Sequence, residues 1–183
     1  IWQQIIYLMP KVVILRYGHR LVRDYRVSSH ACLVARAFGA EKIIIDGDED
    51  KSIIKSVKSV TSRWGGKFSV EFTDGWKKTL QEYRKKGYFV VHLTMYGLTL
   101  QKEIKKIKKQ KNILIIIGSQ KVEPEVYRLS DLNISVTQQP HSEIAALAVA
   151  LDWIFGGKEL EKRFTGAKIK VTPMNKGKNV VKK

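Results

Sequence analysis

The 183 residues hold 34 lysines and arginines against 17 aspartates and glutamates, a formal charge of +17, and 44% are apolar. The apolar share excludes a disordered chain, and the charge points to polyanionic partners, nucleic acid first and an anionic membrane surface second. Cys32 is the only cysteine, which excludes a disulfide framework and a cysteine-based zinc site.

The predicted elements alternate along the chain. The sequence starts IWQQIIYL, unlike the opening of a domain, so residues 1–8 read as an extension and Met9 as the natural start. A first apolar run at 12–15 predicts a strand, and Val27, Ala31, Val34, Ala35 and Phe38 recur at helical spacing after it. A second strand at 43–45 ends in Asp46. Ile53, Val57, Val60 and Trp64 then form a helical stripe, with Lys51, Lys55 and Lys58 opposite it. Residues 68–72 alternate, which suits an edge strand. Asp74 is placed to cap a helix carrying Trp76, Leu80 and Tyr83. A strand at 89–93 runs into the polar, glycine-closed stretch His92-Leu-Thr-Met-Tyr-Gly97. Leu100, Ile104 and Ile107 form the next helix, flanked by Lys102, Lys105, Lys106, Lys108 and Lys109, which read as a plain solvated face.

The last third carries the densest pattern. A strand at 113–117 ends in Gly118-Ser-Gln-Lys-Val122, and a short helical segment leads to a strand at 132–136. The polar loop Thr137-Gln-Gln-Pro-His-Ser-Glu143 then opens a helix marked by Ile144, Leu147, Ala148, Leu151 and Phe155. Residues 166–173 predict a last strand or docked arm, and residues 176–183 a mobile basic tail. The four lysines of that tail supply less than a quarter of the net charge, so the basic character belongs to residues 9–175, read as a single domain. No apolar run reaches the roughly 20 residues that cross a bilayer. No secretory signal is evident, and the expected location is the cytoplasm.

Short Val/Ile runs alternating with helices predict an α/β fold with a mainly parallel sheet of about six strands and helices on both faces. Three polar loops after strands, following Leu93, Ile117 and Val136, are positioned to converge on one pocket beyond the carboxyl ends. The common ligands fail in turn. Gly18-His-Arg-Leu-Val-Arg lacks the further glycines of a dinucleotide loop, so Asp46 has no ribose to hold. Asp46, Asp48 and Asp50 imitate a calcium loop, but Lys51 and Val57 occupy its glycine and closing glutamate positions, and helix-dipole acids explain them better. His141-Ser-Glu143 has no Pro-Cys-x-x-Cys after it, which removes zinc deamination; no metal is expected.

The positive signal is arginine. Five of nine, Arg16, Arg20, Arg23, Arg26 and Arg36, fall in one stretch with His19 and His30 and a single acid, Asp24. Guanidinium forks bind phosphate bidentately, so Arg16, His19, Arg20, Arg23, Arg26 and Arg36 are the expected RNA contacts.

These motifs, taken in order, resemble a known class. IGSQKVEPEVYRLSDLNISVTQQPHSEIAALAVAL is similar to the last two motifs of the SPOUT methyltransferases, and RYGHRLVRDYRVSSHACLVARAFGA to the first. LRYGHR, RDYRV, ARAFGA, RWGG, VHLTMYGL and QPHSEIAALAV together resemble the archaeal tRNA cytidine-56 2'-O-methyltransferase family over residues 12–180. The resemblance implies S-adenosylmethionine-dependent methylation of a ribose 2'-hydroxyl in the tRNA T-loop, by a homodimer with a C-terminal trefoil knot. It implies a cofactor held by Leu93, by Gly118, Ser119, Gln120, Lys121 and Val122, and by Val136, Thr137, Gln138, Gln139, Pro140, His141, Ser142 and Glu143. Relatives often carry an acid where this chain has Gln120. An arginine of the first motif is implied as catalytic: Arg26 first, Arg16 and Arg20 next, with His30 as an alternative base. A ribosomal-RNA methyltransferase of the same class and a non-catalytic RNA-binding module are the alternatives.

Overall fold

The computed structural model describes residues 9–118 and 122–182. The expected extension at 1–8, three expected cofactor residues (Ser119, Gln120 and Lys121) and Lys183 lie outside the described residues. Six strands, β1 (Lys11–His19), β2 (Lys42–Gly47), β3 (Ser69–Thr73), β4 (Phe89–Thr99), β5 (Asn112–Gly118) and β6 (Leu132–Ser135), form one sheet in the order β3-β2-β1-β5-β4-β6. All five pairings are parallel, and the alternating segment β3 lies at an edge.

Successive side chains along each strand enter different cores. Val12, Ile14, Ile43, Val91 and Ile115 pack under α1 (Leu21–Ala37), α2 (Lys51–Trp64), α4 (Leu100–Lys108) and α6 (Glu143–Phe155). Val13, Leu15, Ile44, Val90 and Leu114 pack under α3 (Trp76–Lys85) and α5 (Pro124–Leu129). Helices therefore cover both faces, as the uninterrupted apolar strands require.

The aspartates serve helix starts. Asp50 accepts hydrogen bonds from the Ser52 and Ile53 backbone N–H groups, and Asp48 accepts from Leu21 N at 3.3 Å. The cap expected at Asp74 is absent. Gly75 occupies the N-cap position without a side chain, and Asp46 reaches over from β2 to accept from Trp76 N at 2.9 Å.

Two strands outrun their apolar patterns. β1 continues through Arg16 to His19, shifting register against β2 at Gly18, whose φ of 75° an L side chain rarely adopts. β4 pairs with β6 at Leu93 and again at Leu98, both opposite Ile134, so residues 94–97 bulge out of the ladder. The tail also differs from expectation. β7 (Ile169–Thr172) pairs antiparallel with β8 (Asn179–Lys182), joined through Gly177 at φ 85°, so residues 179–182 of the tail form the second strand of a hairpin that the sequence pattern did not predict.

Candidate active site

The carboxyl ends of β4 and β5 and the start of α6 enclose a cavity of about 910 Å³. Its size falls within the range of small-molecule and cofactor sites. Three chain segments supply its walls, each for a local reason. The β4 bulge brings Thr94, Met95 and Tyr96 to it. A Cβ at Gly97 would lie 2.4 Å from the Asn133 carbonyl carbon and the Ile134 nitrogen, so only glycine lets the chain lie flat on β6 as it leaves the bulge. The loop after β5 contributes Gly118, Val122, Glu123 and Pro124, and the segment before α6 contributes Pro140, His141, Ser142 and Glu143. Ser142 also caps α6, accepting from Ile144 N at 3.1 Å.

Several expected residues thus stand together: Leu93, Gly118, Val122, Pro140, His141, Ser142 and Glu143. Four others do not line the cavity. Val136 packs against the core, and Thr137, Gln138 and Gln139 are exposed. The sequence reading did not single out Tyr127, which sits on α5, a helix too short to show periodicity. Val27, which its apolar spacing marked only as a packing residue, and Ala146 also line the cavity.

A buried network sets the wall's polarity. His92 Nδ1 lies 2.9 Å from Asn133 Oδ1, and Asn133 Nδ2 donates to the Tyr127 carbonyl at 2.9 Å. That amide orientation makes His92 Nδ1 the donor and leaves Nε2 as the ring's acceptor. Tyr127 stacks edge-on against His92 at 4.7 Å, and its hydroxyl is 3.1 Å from Thr94 Oγ1. Burial lowers the His92 pKa, only partly offset by Asn133, so the ring is neutral at physiological pH. The cavity residue Glu123 accepts from the Tyr17 hydroxyl at Oε1, 3.0 Å away; burial first, then Glu123, pushes the phenol up to about 12.

Arg16 is completely buried and donates from Nη2 to Glu143 Oε1 at 3.0 Å. Its Nε and Nη1, and Glu143 Oε2, have no hydrogen-bond partner among the described residues. Burial raises the Glu143 pKa, with Arg16 pulling the other way. The cavity wall therefore carries an incompletely satisfied ion pair, the kind of group a bound polar ligand completes.

The arginine cluster separates by environment. Arg36, expected on the RNA surface, is 7% exposed; its Nη2 donates to the Gly65 carbonyl at 2.6 Å, and its guanidinium lies 4.8 Å from the Phe164 ring. His19 is 2% exposed and hydrogen-bonded to Ser28 Oγ at 2.7 Å. Arg16 is sealed by Glu143. These three side chains hold the fold together and present no fork to RNA. Arg23 pairs with Asp24, which its hydrogen bond holds below the usual carboxylate range. Arg20 is exposed at the N-cap of α1. Arg26 is exposed beside the cavity residue Val27 and has no hydrogen-bond or ion-pair partner among the described residues. His30, one turn on, is also exposed. Burial pushes the Cys32 thiol up to about 12, which leaves it an inert packing group.

No group of three or more metal-ligating side chains occurs among the described residues. None of their helices is long and apolar enough to cross a membrane.

Comparison with known proteins adds to this geometry. Among solved structures, the A. aeolicus TrmH/SpoU tRNA modifying enzyme superposes with a TM-score of 0.60 at 15% identity, over 84% of this chain and 78% of that one. The SpoU methyltransferase AviRb from Streptomyces viridochromogenes, solved with AdoMet, gives 0.59 at 16% identity, over 82% and 58%. These likenesses establish the fold. Sequence similarity is far higher to the tRNA (cytidine(56)-2'-O)-methyltransferases of Methanopyrus kandleri, 47% identical over 94% of this chain and 97% of the relative, and of Archaeoglobus fulgidus, 50% identical over 93% and 98%. Residues 64–181 match the family described as tRNA ribose 2'-O-methyltransferase, aTrm56. With that match and near-half identity along nearly the whole length of such relatives, the chain belongs to the tRNA ribose 2'-O-methyltransferase family.

Proposed function

We propose that this protein transfers a methyl group from S-adenosylmethionine to the ribose 2'-hydroxyl of cytidine 56 in tRNA. The observation that carries the reading is the convergence of the β4 bulge, the β5 loop and the start of α6 on one cavity, with Arg26 on the helix beside it. The walls fit the donor: backbone and small polar groups at Gly118 and Ser142, apolar surface at Leu93 and Ile117, and a buried Glu143 Oε2 without a hydrogen-bond partner among the described residues. Bound there, S-adenosylmethionine supplies a methyl group already activated by positive sulfur.

The chain's own residues then have two tasks. The cavity walls orient the reacting atoms and exclude water, a proximity effect. Arg26, chosen because Arg16, Arg23 and Arg36 are each held by protein groups, lowers the cost of developing negative charge on the hydroxyl oxygen as its proton leaves. The reading extends to the cofactor role of Ser119, Gln120 and Lys121 and to the trefoil knot that the resemblance implies. The strand order, which carries the chain from β5 across β4 to β6, supports that threading.

The enzyme works in the cytoplasm as a homodimer. Support comes from α1, which turns Val22, Leu33 and Val27 outward, with Val149 and Trp153 of the adjoining α6 exposed as well. Arg26 and His30 lie on the same outward side of α1, so a docked second copy shields them from bulk water.

The test is incubation with labelled S-adenosylmethionine and unmodified archaeal tRNA, followed by nucleotide mapping. Absence of 2'-O-methylcytidine in the T-loop rejects the substrate assignment. Arg26→Ala is expected to lower turnover by about 100-fold or more while leaving donor binding by calorimetry unchanged. Unchanged turnover moves the role to another group.

A further inference from the structure

The C-terminal hairpin has no counterpart in the cavity's chemistry, and its surroundings say what it is for. Its root is held firmly. Gly66 N donates to the Thr165 carbonyl at 2.9 Å, Lys168 N to the Arg63 carbonyl at 2.9 Å, and the buried Arg36 guanidinium stacks over Phe164. Beyond Lys168 the two strands pair only with each other, and every residue from Lys170 to Lys182 is exposed. An isolated two-stranded hairpin is marginal in water, and nothing among the described residues covers this one.

Its charge is one-sided. Residues 162–182 contain Lys162, Arg163, Lys168, Lys170, Lys176, Lys178 and Lys182 and no acid. None of these cations has a carboxylate partner among the described residues. Lys58, Arg63 and Lys67 extend the same sign around the root, where a groove of about 540 Å³ is lined by Lys67, Arg163 and Phe164. Cross-strand partners share a face, so one face carries Lys170, Thr172, Asn179 and Val181 and the other Ile169, Val171, Val180 and Lys182. Lysine stands on both faces, and the more aliphatic one still ends in Lys182. A firmly rooted arm of this kind matches a chain of phosphates.

Its position is equally informative. The root adjoins Lys42 and Ser69, the first residues of β2 and β3, whereas the cavity is lined by residues 92–96 of β4 and by Ile117 and Gly118 at the end of β5. A seven-residue strand such as β5 spans roughly 23 Å. Only an extended polyanion reaches both ends.

We propose that the β7–β8 hairpin and its root are a second RNA-contact surface, a basic arm that grips the tRNA phosphate backbone at a distance from the nucleotide being methylated. This rests on the methyltransferase reading above. Phosphate contacts of this kind displace condensed counterions, so they appear in the salt dependence of binding.

The test compares the wild-type enzyme with a variant carrying Lys168→Gln, Lys170→Gln, Lys176→Gln and Lys178→Gln, all at exposed positions. tRNA binding is measured over a salt series, alongside methylation kinetics. The slope of log affinity against log salt is expected to become shallower by about two to four, with affinity lost by about tenfold or more at low salt. KM for tRNA rises, while kcat at saturating tRNA and donor binding stay as in wild type. A matching set of Lys→Arg substitutions keeps the slope. If the wild type methylates tRNA but the Gln variant keeps its slope and KM, the arm has no such role. A variant that sediments as a monomer, or a wild type that binds anionic vesicles in preference to tRNA, also overturns it. A wild type inactive on tRNA rejects the enzymatic reading itself.

Discussion

His92 and His19 show how single residues fix the working state of this protein. Each imidazole is buried and hydrogen-bonded, the first to Asn133 and the second to Ser28. Desolvation holds both below the ordinary value; for His19 the neighbouring Arg16 adds to it, against a smaller pull from Asp24. The folded chain therefore takes up these protons less readily than the unfolded one. Their contribution to stability is full above the unfolded pKa of about 6.5 and is lost as pH falls through that value toward the folded ones. Each unit of separation is worth about 1.4 kcal/mol. Thermal melts at about pH 7.5 and 5.5 are expected to show a drop in Tm that is smaller in His92→Gln than in wild type; equal drops assign the pH response to other groups. The sequence disclosed His92 as the opening of a polar loop but not its neutrality, because the burial that imposes it comes from packing against residues such as Tyr127, 35 positions further on. It likewise grouped Arg36 with the RNA contacts, since nothing local distinguishes a guanidinium that reaches solvent from one that holds a carbonyl in the next helix.

At the scale of elements, the bulge in β4 illustrates what periodicity conveys and what it hides. Continuous apolar runs located five of the six strands and the parallel class of the sheet, because burial on both faces leaves a direct compositional trace, and alternation located the edge strand β3. They did not reveal that β4 resumes pairing at Leu98, since the bulge is a relation between β4 and β6 and not a local pattern. The helix starts show the same division. Asp50 caps α2 from its own loop, whereas α3 is capped by Asp46 from another strand. The close approach of Gly97 to the β6 backbone gives a direct test. Gly97→Ala is expected to cost about 1–3 kcal/mol in urea denaturation, as overpacking generally does, and to weaken donor binding by displacing residues 94–96. Full stability together with wild-type donor affinity shows that the bulge tolerates the added methyl group and is not held by this contact.

For the molecule as a whole, the outward side of α1 is the face on which the proposed assembly rests. Val22 is fully exposed and Leu33 40% exposed on a helix that packs its other side against α6, more apolar surface than a solvated helix needs. Sedimentation of the 21.0 kDa chain is expected to give a dimer, and Val22→Asp with Leu33→Asp a monomer of unchanged secondary structure. A wild-type monomer at micromolar concentration rejects the assembly. The Arg16–Glu143 pair carries a consequence for biosynthesis. Its partners are 127 positions apart, so a growing chain has made β1 through β6 before the acid that neutralises Arg16 leaves the ribosome. Until then a guanidinium destined for complete burial has no counter-charge, and the sheet around it has reason to stay open. Completion of the cavity wall at Glu143 and neutralisation of Arg16 thus come late, and together, in the life of each nascent chain, and a polypeptide released before Glu143 has neither.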